Sequence, residues 1–442
     1  MEIGELKIKM NAMKTINIVT LGCSKNKVDS EHLAGLLEAG YQILHDSDAD
    51  SEVVIVNTCG FIGDAKEESI DTILSFAEAR KAGEIEKLIV MGCLSQRYNK
   101  SLKKDLHEVD AFFGVNDFNA IASLLKVKPE DSFKPYHYKR VLSTPQHFAY
   151  LKISEGCDRA CSFCAIPLIR GKHRSVPADQ LMEEAKNLAS TGVKELILIA
   201  QDLTYYGIDI NGNRQITHLV NALAAIEGIE WIRLQYAYPI GFPDDLIQLI
   251  ASNPKVCKYI DLPLQHINPR ILKSMKRGVD KDMTIGLINK IREQIPGVAF
   301  RTTMITGYPG ETEEEFNELL QFIKDQRFER LGVFAYSAEE DTSAYELVDD
   351  VTDEMKQFRV ETIMELQQEI SLEINQKRIG TVEKVLIDRV ENEYFVGRTQ
   401  YDSPEVDNEI LIAKTDLEML IGEFYNVKIS EADYFDLYGS VE

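Results

Sequence analysis

The chain has 442 residues, enough for about three domains with a core each, and its 44% hydrophobic and 27% charged content suits an ordinary globular protein. Its net charge of −23 repels a phosphate backbone and attracts a basic protein, so stable nucleic-acid binding is not expected. No apolar run approaches the ~18 residues that span a bilayer, and Met1 to Lys7 alternates charged with apolar residues where a signal peptide is continuously apolar; a reducing cytoplasm is the expected location.

Between residues 14 and 130, short β-rich apolar runs alternate with helical patterns. Strands are predicted at Ile16–Leu21, Val53–Val56 and Leu88–Met91, with helices over Glu31–Leu37 and Glu67–Arg80. This alternation predicts a parallel sheet covered on both faces. Each strand runs almost at once into a cysteine: Cys23, Cys59 and Cys93. A lone cysteine after a strand is ordinarily a small buried hydrophobe, which is the reading given to Cys257. Three of them at the carboxyl edge of one parallel sheet, where such folds bind ligands, point instead to a three-cysteine cluster site.

A polar, aromatic linker is expected over Pro135–Pro145. Beyond it comes Cys157-x3-Cys161-x2-Cys164, within Glu155-Gly156-Cys157-Asp158-Arg159-Ala160-Cys161-Ser162-Phe163-Cys164. Three thiols in eight residues fit three corners of a four-iron cubane and leave one iron without a protein ligand. An open iron can chelate the amino and carboxylate groups of S-adenosylmethionine. The competing metal reading is structural zinc held by the three cysteines and His173, but only Cys161 and Cys164 have the C-x2-C spacing of zinc sites. Seven cysteines, odd in number and sparse, do not suit a disulfide framework.

Six strand–helix units follow, with strands near Tyr150–Ser154, Glu195–Ala200, Trp231–Tyr236, Tyr259–Leu262, Ala299–Ile305 and Leu331–Tyr336. Helical stretches lie at Pro177–Ala189, Thr284–Gln294 and Glu313–Gln326. Six units predict an open, partial (βα)6 barrel of TIM type, with the cysteine loop on its carboxyl-end face. On that face Gly307 and Gly310, in Thr306-Gly307-Tyr308-Pro309-Gly310, are expected to let backbone approach the cofactor; Thr312 with Glu315 reads as a capping box. Gln201, at the second strand's end, is a candidate hydrogen-bond partner for the cofactor's ribose or amino group. A long helix is predicted over Asp353–Arg378. Five short strands then read as a small β-barrel.

The chain resembles the radical S-adenosylmethionine methylthiotransferases over nearly its whole length, and within them the branch that modifies a ribosomal protein. The resemblance rests on the cysteine loop with its aromatic Phe163, on Leu21-Gly22-Cys23-Ser24-Lys25-Asn26, Asn57-Thr58-Cys59-Gly60-Phe61, Ile166-Pro167-Leu168-Ile169-Arg170-Gly171-Lys172 and Asp402-Ser403-Pro404-Glu405-Val406-Asp407. It implies an α/β chain of three domains: 14–130, a methylthiotransferase domain with an auxiliary cluster; 143–373, the radical core; and 376–442, a TRAM barrel. It also implies two 4Fe-4S clusters, one on Cys157, Cys161 and Cys164 and one on Cys23, Cys59 and Cys93, with S-adenosylmethionine bound at the first near Phe163. The implied reaction attaches a methylthio group to the β-carbon of an aspartate in small-subunit ribosomal protein twelve. That carbon–hydrogen bond is unactivated, so a radical rather than a base must break it. A sulfur donor and an electron donor are implied as partners.

Two other functions compete. The tRNA-modifying branch would place the same chemistry on an adenosine, but it has Gln-Met-Asn where this chain has Ser24-Lys25-Asn26. An iron–sulfur electron carrier or sensor would complete each cluster with four cysteines. The C-terminal segment from Gln376 has seven Lys and Arg against fifteen Asp and Glu, the opposite of an RNA-binding footprint. Asp402, Glu405, Asp407 and Glu409 are expected to dock the basic substrate, packing and solubility being the alternative use of such acids.

Overall fold

A computed structural model describes residues 13–127, 140–414 and 418–442; residues 135–139 of the expected linker lie outside them. The chain divides into two compact units, the first ending at Ser143.

The first unit is built from β1 (Thr15–Thr20), α1 (Ser24–Leu37), β2 (Gln42–His45), β3 (Val53–Thr58), α2 (Gly63–Ala82), β4 (Lys87–Gly92), α3 (Cys93–Asp105), β5 (Ala111–Phe112) and α4 (Phe118–Leu124). All its strands pair in parallel in the order β2-β1-β3-β4-β5. Every residue of β3 is buried, as a central strand between two helical layers requires. Leu33, Leu37 and Ile121 of α1 and α4 pack on one face, while Ile73, Leu94 and Leu102 of α2 and α3 pack on the other. The strand order reverses between β1 and β3, and in open α/β sheets the crevice at such a switch point receives ligands.

The second unit begins with β6 (Phe148–Lys152), β7 (Ser154–Glu155), α5 (Ile166–Arg170), β8 (Arg174–Ser175), α6 (Ala178–Ser190) and β9 (Glu195–Ile199). It continues through α7 (Ile208–Asn211), α8 (Ile216–Ala224), β10 (Trp231–Leu234), α9 (Asp244–Ser252), β11 (Tyr259–Asp261), α10 (Pro269–Ser274) and α11 (Lys281–Gln294). Then come β12 (Ala299–Thr306), α12 (Glu313–Gln326), β13 (Arg330–Ala335) and α13 (Asp353–Gln376). Two parallel three-stranded sheets, β6-β9-β10 and β11-β12-β13, are joined by a bridge between Ile232 and Val256. They form the six-stranded, open barrel expected. β7 and β8 pair antiparallel and bracket the cysteine loop. The capping box of Thr312 and Glu315 starts α12.

The last five strands, β14 (Val382–Glu391), β15 (Tyr394–Arg398), β16 (Glu409–Ala413), β17 (Phe424–Ala432) and β18 (Asp436–Val441), close a barrel in the order β14-β15-β16-β18-β17. A buried polar layer fastens it to the amino-terminal ends of the core strands. Glu195 of β9 holds both Arg233 and Arg398, Arg330 of β13 donates to Asp402, and the Tyr259 hydroxyl donates to Asp407 at 2.7 Å. Here two of the four acids expected to dock the substrate, Asp402 and Asp407, prove to be buried in the fold. Asp402 is 1% exposed, Asp407 faces Tyr259 and Arg301, Glu405 accepts from the Tyr150 hydroxyl and Glu409 pairs with Arg389. The buried Asp402 and Asp407 are held by Arg330, Arg301 and Tyr259 and are not offered to another protein, whereas Glu405 is exposed and Glu409 partly so.

Candidate functional site

In the first unit the parallel register sets Thr20 opposite Asn57, and Asn57 opposite Met91. The three residues that follow these strand ends, Cys23, Cys59 and Cys93, therefore share one edge. Three glycines let their loops close up. A Cβ on Gly22 would lie 2.7 Å from the Cβ of Cys59, one on Gly60 would lie 2.7 Å from the backbone of Leu94, and one on Gly92 would lie 2.4 Å from Asn57 Oδ1. Asn26 ties the loops together. Its amide group donates to the carbonyls of Leu21 at 2.8 Å and Thr58 at 3.1 Å, and its Oδ1 lies 3.6 Å from the Cys93 sulfur. Ser69 fixes the Cys59 backbone, accepting from its N–H at 3.0 Å and donating to its carbonyl at 2.9 Å.

In the second unit the cysteine loop hangs between β7 and α5. Gly156, with φ +76°, is backed against the Gly171 and Lys172 carbonyls, so only glycine fits there. The Cys157 N–H donates to the Gly171 carbonyl at 3.1 Å. Under the loop lies a buried ionic group: Glu155 accepts from Lys152 at 2.7 Å and from Arg170 at 3.0 and 3.1 Å. Burial alone would raise the Glu155 carboxyl, but Lys152 and Arg170 outweigh it and hold the group far below the ordinary carboxylate range. Further along the loop, the Ser162 N–H donates to Met275, and the Ser162 hydroxyl meets the Tyr308 hydroxyl at 2.9 Å.

The donors suit an iron–sulfur cluster. They are soft sulfurs, and burial pushes the Cys157 thiol up to about 11 and the Cys164 thiol up to about 12, so these thiols stay protonated until a metal's charge displaces the proton. Among the described residues no three His, Cys, Asp or Glu side chains close on one ion. His173, the fourth ligand in the zinc reading, has Nε2 engaged with Ser175 at 3.0 Å and near Asp209 at 3.5 Å.

The other expected residues are distributed as follows. Phe163 packs with Ile271, Met275, Tyr308 and Tyr336 beneath the loop. Gln201 donates from Nε2 to Glu155 at 3.1 Å, leaving its buried Oε1 without a protein partner. Gly307 has φ +71°, and a Cβ there would meet Lys356 at 2.3 Å; helix packing thus gives this glycine a reason of its own. Gly310 has open space on its Cβ side, with Arg270 at 3.7 Å. Their turn is fixed by Glu311, which accepts from His266 at 2.9 Å, from Arg359 at 2.6 Å and from the Gly307 N–H. Cys257 is 1% exposed among Trp231, Tyr259 and Leu386, a packing residue. The residues that sequence reasoning missed are Glu155, Arg159, Tyr238 and Arg277. Of these, Glu155 and Arg159 stand within the cysteine motif, two positions either side of Cys157, whereas Tyr238 and Arg277 carried no local signal.

Comparison with known proteins agrees with this geometry. Residues 151–323 match the radical SAM superfamily, residues 15–114 the Uncharacterized protein family UPF0004, and residues 379–441 the TRAM domain. The radical S-adenosylmethionine methyltransferase TsrM of Kitasatospora setae has the same fold, with a TM-score of 0.55 at 13% identity over 84% of this chain and 81% of that one. Fold, cysteine loop and family match define a radical S-adenosylmethionine enzyme, whose chemistry uses that cofactor and a 4Fe-4S cluster. The ribosomal protein uS12 methylthiotransferase RimO of Cytophaga hutchinsonii is 53% identical over 99% of this chain and 100% of its own length. The RimO of Christiangramia forsetii is 52% identical, covering 98% and 96%. The chain belongs to the RimO family of methylthiotransferases.

Proposed function

We propose that this chain attaches a methylthio group to the β-carbon of an aspartate in ribosomal protein uS12. The observation that carries the reading is that the first unit presents three cysteines at one edge of its parallel sheet and the second presents three in the loop after β7, beside relatives of that activity matched from end to end. Cys157, Cys161 and Cys164 would hold the radical-generating cluster, and Cys23, Cys59 and Cys93 the auxiliary one. When bound, the first cluster with S-adenosylmethionine supplies one-electron hydrogen abstraction and the second supplies the sulfur.

This chain's residues then position and shield. Gln201 Oε1 would accept from the cofactor's amino group, its orientation fixed because Nε2 is committed to Glu155. Phe163, Gly307 and Gly310 would line the nucleoside. Lys152 and Arg170 keep Glu155 ionised in a dry site, so the strand end that carries the first cysteine keeps its shape. Among the described residues no helix is long and apolar enough to cross a membrane. A cytoplasmic location, the boundaries 14–130, 143–373 and 376–442, and separate sulfur and electron donors belong to the same proposal.

The test is anaerobic reconstitution with iron and sulfide, followed by mass spectrometry of uS12 and of tRNA incubated with reductant and S-adenosylmethionine. Methylthiolation of the uS12 aspartate is expected. Modification of tRNA adenosine with none of uS12 would move the reading to the tRNA branch, and no cleavage of S-adenosylmethionine would leave an electron carrier or sensor.

A further inference from the structure

Six arginines among the described residues are buried: Arg170, Arg233, Arg277, Arg330, Arg359 and Arg398. Five of them face a carboxylate, namely Glu155, Glu195, Asp402, Glu311 and again Glu195. Arg277 is 5% exposed, and no carboxylate among the described residues pairs with it. Its Nη2 donates to the Pro263 carbonyl at 2.5 Å, and its Nη1 points at the Cys161 sulfur at 3.4 Å. Its Nε is buried without a partner. The guanidinium lies 4.3 Å from the centre of the Tyr238 ring, and the Arg159 guanidinium lies 4.2 Å from the same ring. Arg159 has Asp202 as its counter-charge at 2.9 Å; Arg277 has only sulfur. Tyr238 locks the arrangement by donating to the Arg277 carbonyl at 2.6 Å.

A buried charge with no opposite charge beside it is unfavourable, because desolvation is not compensated. The direction in which Arg277 points supplies the missing anion. Three cysteine thiolates around a cubane leave the centre net negative, and each electron added makes it more so. We infer that Arg277 is the built-in counter-ion of the cluster on Cys157, Cys161 and Cys164, hydrogen-bonded to the Cys161 sulfur so as to ease the cluster's reduction. The inference rests on the proposed ligand assignment. It extends that assignment to a residue 113 positions beyond the last cysteine of the loop. Hydrogen bonds to cluster sulfurs and local charge are the protein's means of setting such potentials. A guanidinium suits the task because it stays charged at any pH the protein meets and stacks flat on Tyr238. As a positioning residue it acts on the cluster and does not touch the substrate.

The experiment uses the full chain with Cys23, Cys59 and Cys93 changed to alanine, so that one cluster reports. Iron and sulfide content are measured first, then the midpoint potential by spectroscopically monitored redox titration. Arg277→Gln should retain iron but shift the midpoint to a more negative potential, and Arg277→Lys should recover part of the shift. An unchanged midpoint in Arg277→Gln overturns the inference alone, whereas a parent protein that takes up no iron overturns the ligand assignment and the inference with it. If Arg277→Gln fails to hold iron, thermal unfolding of the cluster-free protein decides. Arg277→Met should then melt higher than the parent, because the lone buried charge is gone, and a lower melting temperature would show that Arg277 is satisfied by the protein itself.

Discussion

The α-carbon of Gly22 is packed against the side chain of Cys59, so that an added Cβ would sit 2.7 Å from the cysteine Cβ and 2.9 Å from its sulfur. Gly22 also has φ +89°, a conformation that costs an L-residue about 1–2 kcal/mol. Gly22→Ala should therefore push the loops of Cys23 and Cys59 apart. We expect about half the iron of the reconstituted wild type, with S-adenosylmethionine cleavage retained and sulfur insertion lost. Iron analysis and the two product assays check this; full iron in the variant would refute it.

The division of labour between the two cysteine sets has its own signature. Changing Cys157, Cys161 and Cys164 to alanine should leave about half the iron and abolish cleavage, because the open iron goes with the cluster. Changing Cys23, Cys59 and Cys93 should also halve the iron but spare cleavage and stop methylthiolation. Undiminished iron in the second triple variant would rule out two clusters. Cys257→Ala should alter neither property, since Cys257 only fills space beside Trp231 and Tyr259.

The strands carrying the cysteines were legible because β3 and β4 each hold a run of four apolar residues and β1 is β-rich and apolar but for Asn17. β2 was not: Gln42–His45 has four residues and no fully buried one, so it shows neither an apolar run nor alternation. α3 was hidden because it begins at Cys93 with no intervening loop and is interrupted at Tyr98. The barrel acids misled for a different reason. Asp402 and Asp407 look like surface charge because their partners, Arg330 and Tyr259, lie 72 and 148 residues away. Arg277 was invisible for the same reason: the sulfur it points at, on Cys161, precedes it by 116 residues. Local pattern reports periodicity and turn chemistry, and it is silent on which distant charge a buried charge will meet.

Asp402 provides a direct test of that correction. Asp402→Ala leaves Arg330 buried without its carboxylate, and breaking a buried pair in this way costs about 3–5 kcal/mol. Thermal or denaturant unfolding should register the loss. Changing Asp402, Glu405, Asp407 and Glu409 together to lysine should destabilise the fold outright, since the buried arginine layer would then face like charge. A stable fourfold variant with weakened uS12 binding would restore these acids as a docking surface.

Glu155 predicts a pH dependence whose sign follows from its environment. Its carboxyl is held below the ordinary value because Lys152 and Arg170 outweigh the cost of burial. A group whose folded pKa is depressed contributes stability above its unfolded pKa, about 4.3 for glutamate, and loses it as pH falls toward the folded value. The cluster-free protein should thus lose stability from Glu155 only below about pH 4.3. Glu155→Gln removes this titration but strands Lys152 and Arg170, so it should melt lower than wild type at pH 7, with the gap narrowing as the pH is lowered. Thermal unfolding of both proteins across that range checks this, and a gap independent of pH would show that Glu155 contributes through its hydrogen bonds to Lys152, Arg170 and Gln201 without its charge.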